Sequence, residues 1–230
     1  MKLCVINFSG NVGKSIISQH LLKPRLNDCE IISVETINDN GIDDEKIKSK
    51  YFTQIIERVL DAKDIIVDVG ASNVEEFMNQ MRNSVGSQEE FDYYIIPVTK
   101  KVKQINDTIS TIAALDDLGI EQDKIRLILN MVEDVGDINI DYSGVLRLGC
   151  SATVSENVYI CESELFSRLD DLPDFESIAK LANDPTDYRT LIDETEDKDK
   201  RSEYIKRLSI KRLAVGVERM LDNTFKHLFN

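Results

Sequence analysis

The sequence has few of the residues from which common metal and catalytic sites are built. Its 230 residues include two histidines, four cysteines, four prolines and no tryptophan. The cysteines lie singly and far apart, without the paired spacing of zinc or redox sites, so we expect free thiols in a reducing cytoplasm. Two histidines leave little material for a histidine metal site or a Ser-His-Asp triad. Hydrolases of those two kinds are therefore disfavoured.

Long apolar runs are also missing. No apolar segment approaches the roughly 20 residues that a membrane-spanning helix needs. The N-terminal MKLCVINF leads directly into a glycine-containing turn, which is typical of a first strand and not of a signal peptide. Apolar residues make up 42% of the chain, which excludes a disordered protein. The composition predicts a globular cytoplasmic protein.

Charge is plentiful but unevenly distributed. The formal net charge is -14. Residues 198–230 contain nine Lys/Arg and four Asp/Glu, which gives +5 there and leaves -19 for the first 197 residues. An acidic body disfavours broad affinity for nucleic acid. We predict an α/β domain over residues 1–170 and a helical extension over 171–230, whose last helix is basic and amphipathic.

Short Val/Ile/Leu runs alternate with longer amphipathic segments along the body. Strands are predicted at residues 3–7, 30–35, 64–69, 93–98, 124–130 and 143–148. Helices are predicted at residues 14–22, 44–62, 74–85 and 105–118, then at 163–168, 175–182 and 199–228. Continuous apolar strands separated by helices are typical of a parallel sheet with helices on both faces.

The strongest chemical signal is SGNVGKS at residues 9–15, placed after the first strand and before the first helix. Backbone N–H groups of such a loop, with the positive end of the next helix, form a cradle for polyphosphate. Lys14 would reach the β- and γ-phosphates, and the Ser15 hydroxyl would bind Mg²⁺. The standard pattern has glycine where Phe8 stands, so an ordinary strand-to-helix turn is the alternative.

Two later strands end in residues that a nucleotide site needs. IIVDVG at residues 65–70 carries Asp68, in the arrangement that holds Mg²⁺ opposite the loop serine. LILNMV at residues 127–132 carries Asn130, where an amide would recognise the base. Guanine recognition uses Asn-Lys-x-Asp, whereas Asn130 is followed by Met-Val-Glu. ATP is therefore predicted in preference to GTP.

These segments, with IIPVTKK at residues 95–101, resemble the ParA/MinD class of deviant Walker ATPases. Within that class the chain is most similar to the StbB-type plasmid stability proteins. This finer resemblance rests on VETIND at 34–39, VDVGAS at 67–72 and KRLAVGVERMLDNTF at 211–225.

The resemblance implies a P-loop NTPase-like fold with ATP and Mg²⁺ as cofactors and weak ATPase activity. The implied nucleotide contacts are Gly10, Asn11, Val12, Gly13, Lys14, Ser15, Ile16 and Asn130. The implied catalytic residues are Lys14, Asp68 and Glu35, and the implied Mg²⁺ ligands are Ser15 and Asp68. The implied partners are a second copy of the chain, assembled around ATP, and a plasmid DNA-binding adaptor protein.

The sequence departs from the class at two places. At one place, the acidic pair that the class has after the second strand is reduced to Glu35, which Thr36 follows. At the other, the lysine of the class's KGG signature is replaced by Ser9 and its second glycine by Asn11. An arginine finger, a comparable cation, is worth about three to five orders of magnitude in rate, so we expect slow hydrolysis. Lys100 or Lys101 from a second copy is an alternative source of the missing charge.

The leading hypothesis is an ATP-dependent switch in plasmid maintenance, whose nucleotide state controls dimerisation and attachment to a DNA-bound partner. A nonhydrolysing scaffold on the same fold is the alternative. For the last helix, packing of its apolar face on the sheet or on a partner subunit is favoured over two other uses. One is DNA contact through its Lys/Arg residues, and the other is binding to a membrane surface.

Overall fold

The computed structural model describes residues 1–34, 45–147, 152–169, 172 and 174–230, with the helical backbone alone for 45–50. The chain folds into two compact units. The first comprises Met1–Cys161 together with Thr224–Asn230, and the second comprises Glu162–Asn223.

The first unit is built on a six-stranded sheet whose strands are all parallel. The strands are β1 (Lys2–Val5), β2 (Glu30–Val34), β3 (Ile65–Val69), β4 (Tyr93–Val98), β5 (Ile125–Val132) and β6 (Tyr159–Cys161). Their order in the sheet is β2-β3-β1-β4-β5-β6. Every residue of β3 is buried, as expected for a strand covered on both faces. The predicted parallel α/β fold is confirmed.

Helices connect the strands and continue beyond the sheet. In the first unit they are α1 (Lys14–Ile16), α2 (Glu45–Asp61), α3 (Val74–Asn83), α4 (Val102–Asp116), α5 (Ile138–Asp141) and α6 (Ser143–Leu146). The later ones are α7 (Glu164–Arg168), α8 (Ile178–Ala182), α9 (Tyr188–Glu194) and α10 (Lys198–Leu228). Helix α1 continues as a π-helical segment, Ile17–Leu22. No helix among the described residues is long and apolar enough to cross a membrane.

The predicted strand at 143–148 is wrong, because its first four residues form helix α6. The neighbouring packing explains the difference. A Cβ at Gly144 would lie 3.1 Å from Ile105 Cγ2, so the segment is pressed against α4. The preceding Tyr142 is buried, and its hydroxyl donates to Asn130 O at 2.8 Å. The sixth strand is instead the three-residue β6, and helix α9 was not predicted.

The end of the chain, Thr224–Asn230, is part of the first unit. The Thr224 hydroxyl donates to Tyr159 O at the start of β6. The Phe229 ring lies 5.0 Å from the rings of both Phe225 and Tyr93, the latter at the start of β4. The last turn of α10 therefore covers the amino ends of two strands.

The apolar stripe of α10 is largely buried. Its fully buried members are Ile210, Ala214, Val217, Leu221 and Leu228, whereas Leu213 and Phe225 are half-buried. Two of its basic residues have partners within the second unit. Arg207 Nε donates to Glu203 at 3.0 Å, and Lys211 Nζ donates to Thr186 O at 3.2 Å. Lys206 and Arg212 remain exposed.

Asp184 makes the stability of the second unit depend on pH. Its carboxylate accepts hydrogen bonds from the Thr186 hydroxyl and the Tyr188 hydroxyl, both at 2.6 Å. These bonds lower the pKa of Asp184 from 3.8 to about 2. Because the folded-state pKa is lowered, the stabilisation is present above about pH 4 and is lost as the pH falls through 2.

We predict that Asp184→Asn lowers the free energy of unfolding by about 1.5 kcal/mol at pH 7. This value is the lower end of the range for hydrogen bonds to charged groups, and we use it because Asp184 is partly exposed. The cost should shrink as the pH falls from 4 to 2. Urea unfolding of the second unit at several pH values measures it, with the exposed Asp193→Asn as the matched control. A cost that does not change with pH would contradict the assignment.

Candidate nucleotide site at the carboxyl ends of the strands

The glycine-containing loop leaves the carboxyl end of β1, a central strand that pairs with β3 and β4. The loop ends at Gly13, where α1 begins, and α1 lies against β3. Parallel strands bring their carboxyl ends to one edge of the sheet. The ends of β3, β4 and β5 therefore surround the loop.

The backbone of the loop is left-handed at two positions, Asn11 with φ 56° and Gly13 with φ 89°. A Cβ at Gly13 would lie 2.2 Å from Asn130 Nδ2, so the position has no room for a side chain. Gly10 is different, because a Cβ there would meet nothing closer than Ala71 Cβ at 4.0 Å. The tight path therefore requires glycine at position 13 and not at position 10.

Side chains from three directions hold the carbonyl oxygens of the loop. Lys14 Nζ donates to Asn7 O at 3.2 Å and to Ser9 O at 2.9 Å. Gln104 Nε2 donates to Gly10 O at 3.1 Å, and Asn130 Nδ2 donates to Val12 O at 2.7 Å. The carbonyls are thus turned toward the protein.

The N–H groups of Gly10, Asn11, Val12 and Gly13 have no protein acceptor among the described residues. Successive unengaged N–H groups at the start of a helix bind anions well, and a polyphosphate satisfies several of them together. Lys14 adds a cation that is only 9% exposed, and Ser15 places an exposed hydroxyl in the first turn of α1. The donor set fits the phosphates of a nucleotide.

Asp68 supplies a buried acid at this edge. It is 5% exposed and lies opposite Val5 of β1 and Ser33 of β2 in the sheet register. Burial, and secondarily the charge of Asp68, raise the pKa of the Cys4 thiol on β1. Within the described ranges no group of three or more His, Cys, Asp or Glu side chains could hold a metal ion. A Mg²⁺ ion here would depend on Ser15, Asp68 and the phosphates together.

Asn130 is 4% exposed at the end of β5. Hydrogen bonds fix both its backbone and its side chain. The Tyr142 hydroxyl donates to the backbone oxygen of Asn130, and the side-chain amide of Asn130 donates to Val12 O. The following residue, Met131, is left-handed with φ 57°, beside an irregularity in the pairing of β5 with β6. One amide hydrogen of Asn130 is thus used by the loop, and its contact with adenine stays a prediction.

Glu35 and Ile16 are the remaining residues that the sequence predicts for the site. Glu35 lies outside the described residues, so its role stays a prediction. Ile16 is half-buried in α1.

A residue that was not predicted, Asn73, is 1% exposed in the loop after β3 and donates to Val34 O at 2.6 Å. It ties the loop that follows Asp68 to the end of β2.

The two lysines after β4 are in different situations. Lys100 Nζ lies 2.9 Å from Glu133 and 3.4 Å from Asp141. The hydrogen bond with Glu133 is the main reason that the pKa of Lys100 is raised. Lys101, in contrast, is exposed immediately before α4. Of these two cations, Lys101 is the one with no ion pair within the described chain.

A buried polar network beneath the loop was also not predicted. Asn7 Nδ2 donates to Pro97 O and to the Thr108 hydroxyl, both at 2.8 Å. Phe8 N–H donates to the Thr111 hydroxyl at 3.1 Å. The available signal was the recurrence of polar residues on the buried face of α4, at positions 104, 108 and 111.

No protein-family model and no curated protein matches the chain. Among solved structures, the MinD cell division protein of Aquifex aeolicus matches with a TM-score of 0.50 and 13% identity, over 95% of each chain. A putative plasmid partition protein of Borrelia burgdorferi bound to AMPPNP matches with a TM-score of 0.48 and 16% identity, over 90% of this chain and 96% of that one. A Cyanothece McdA–ATP complex matches with a TM-score of 0.47 and 14% identity, over 96% of each.

The likeness to the MinD protein shows a MinD-like P-loop fold. At this level of identity it concerns the fold alone. The resemblance that the sequence motifs indicate, to ParA/MinD-type ATPases, is therefore supported at the level of the fold.

Proposed function

We propose that the protein is an ATP-binding switch that hydrolyses ATP slowly and acts in plasmid stability or partition. The observation that carries the proposal is the loop after β1. It presents unengaged N–H groups beside the buried cation of Lys14, within a body that is otherwise strongly acidic. Polyphosphate binding explains this local concentration of donors better than a plain strand-to-helix turn does.

In this proposal the residues at the edge of the sheet form two groups, one that binds the phosphates and one that binds Mg²⁺. Lys14 and the loop N–H groups bind the phosphates, whereas Ser15 and Asp68 hold Mg²⁺. The metal ion, when bound, neutralises the charge that develops on the transferred phosphoryl group. Asp68 is suited to this role because burial keeps water from screening its charge.

Slow hydrolysis follows from the cations available near the transferred phosphate. Ser9 supplies none, and Lys100 is engaged by Glu133 and Asp141, which leaves Lys101 of a second copy, of these two lysines, as the alternative source. We further propose that two copies of the chain assemble around ATP and bind a DNA-bound adaptor protein. The plasmid role and the adaptor rest on the similarity of the sequence to StbB-type proteins.

A nonhydrolysing scaffold is the second candidate function. The observation in its favour is Ser9 itself, which is buried and donates its backbone N–H to Asn7 Oδ1 at 2.8 Å. A chain without a cation at this position can bind nucleotide as a structural ligand and never turn it over.

We predict that Ser9→Lys speeds ATP turnover, by up to about three orders of magnitude, the lower end of what an arginine finger supplies. Phosphate release and sedimentation velocity, with and without Mg-ATP, measure turnover and dimerisation. Ser9→Met is the matched control, since it has similar length and no charge. ATP binding with no turnover in either the wild type or Ser9→Lys would favour the scaffold.

A further inference from the structure

The phosphate loop adopts its shape with fewer glycines than the ParA/MinD class uses. Asn11 stands at a left-handed position, with φ 56°. Side chains disfavour this conformation, although asparagine tolerates it better than most residues. The loop therefore needs contacts from outside to hold it.

Gln104, in the first turn of α4, makes such contacts. Its amide nitrogen donates to Gly10 O at 3.1 Å and lies 3.5 Å from Asn11 O. The side chain is only 9% exposed, and its Oε1 accepts a hydrogen bond from the Thr99 hydroxyl just after β4. Because Thr99 occupies the oxygen, the nitrogen is the end of the amide that faces the loop.

The same helix holds the beginning of the loop. Thr108 and Thr111, which follow Gln104 on the buried face of α4, bond to Asn7 and to Phe8 N–H. The backbone from residue 7 to residue 11 is therefore attached to one rigid element.

We propose that Gln104 is a positioning residue of the nucleotide site, which holds the carbonyls of Gly10 and Asn11 so that the loop N–H groups stay available to polyphosphate. This inference rests on the proposed function. It is specific in one respect, because within the described residues the hydrogen bonds of the Gln104 side chain go only to the loop backbone and the Thr99 hydroxyl. Its effect should be independent of the base, and inorganic tripolyphosphate should show it as strongly as ATP.

The test is calorimetric titration of the full chain with Mg-ATP and with Mg-tripolyphosphate. Gln104→Glu keeps the shape of the side chain but replaces the donor with oxygen that repels the two carbonyls. We expect affinity for both ligands to fall by the same factor, about tenfold or more. Asn106→Asp is the matched control, an exposed amide-to-carboxylate change on the same helix that should leave both affinities unchanged.

A second-site variant separates positioning from damage to α4. In the Gln104→Glu background, Asn11→Gly removes the need to hold a side chain in the left-handed region. We expect it to restore most of the lost affinity. Gln104→Glu behaving like Asn106→Asp would overturn the proposal, and so would a loss that Asn11→Gly does not restore.

Backbone ¹⁵N relaxation tests the same contact without a ligand. Order parameters of residues 10–13 should fall from about 0.85 toward 0.6 or less in Gln104→Glu and not in Asn106→Asp. If the wild type binds neither ligand, the proposed function fails, and these order parameters alone decide whether Gln104 holds the loop. Unchanged values in Gln104→Glu would overturn its positioning role.

Discussion

Replacing Lys14 with alanine is expected to lower the affinity for Mg-ATP by at least about a hundredfold. The ammonium group is the buried cation of the loop, and charged hydrogen bonds are each worth about 1.5 to 3 kcal/mol. Two such bonds to phosphate correspond to roughly two to four powers of ten. Calorimetric titration of the variant and the wild type measures the loss.

Lys23→Ala is the matched control, because Lys23 is exposed in the short helical turn that follows the π-helical segment. We expect it to bind Mg-ATP like the wild type. Circular dichroism should show that Lys14→Ala still folds. The Lys14 side chain bonds to carbonyl oxygens at the start of the loop, whereas the core of the sheet is buried without it. A folded Lys14→Ala protein with unchanged ATP affinity would refute the site assignment.

Gly13→Ala is expected to destabilise the first unit by about 2 to 5 kcal/mol and to abolish polyphosphate binding. Two costs combine at this position. Alanine is disfavoured at φ 89°, and its Cβ would lie 2.2 Å from Asn130 Nδ2, which would have to leave Val12 O. Urea unfolding gives the first effect and titration with Mg-tripolyphosphate gives the second.

Two other glycines separate these costs. Gly86 has φ 93° with open space around it, so Gly86→Ala should show the backbone cost alone, about 1 to 2 kcal/mol. Gly10→Ala should be nearly neutral in stability, because its Cβ would meet Ala71 only at 4.0 Å. Equal losses of stability in the Gly10 and Gly13 variants would contradict the described loop geometry.

The strands of the core could be predicted because they are buried on both faces and read as continuous apolar runs. The predicted bounds of β4 agree with the structure at both ends. The prediction failed where segments are very short. Val145 and Leu146 resemble strand residues, but a four-residue segment carries too little periodicity to distinguish helix from strand. The three residues of β6 are recognisable only by their pairing with β5.

The loop could be predicted from its glycine, lysine and serine, but the contacts that shape it could not. Gln104 and Gly10 are 94 positions apart, and nothing in a single sequence pairs them. The sequence predicts a helix that begins at residue 105, which leaves Gln104 outside it, whereas α4 begins at Val102 and includes Gln104. Asn130 was recognised from its place at the end of a strand, yet its hydrogen bond to Val12 O depends on the folded register of β5 beside β4.

The most direct test of the account is a calorimetric titration of the wild-type chain with ATP and with GTP in the presence of Mg²⁺. The account predicts saturable binding of one ATP per chain, with weaker binding of GTP and with dimerisation that appears only when ATP is bound. Absence of binding to either nucleotide at millimolar concentration would contradict it, and the loop after β1 would then be an ordinary strand-to-helix turn.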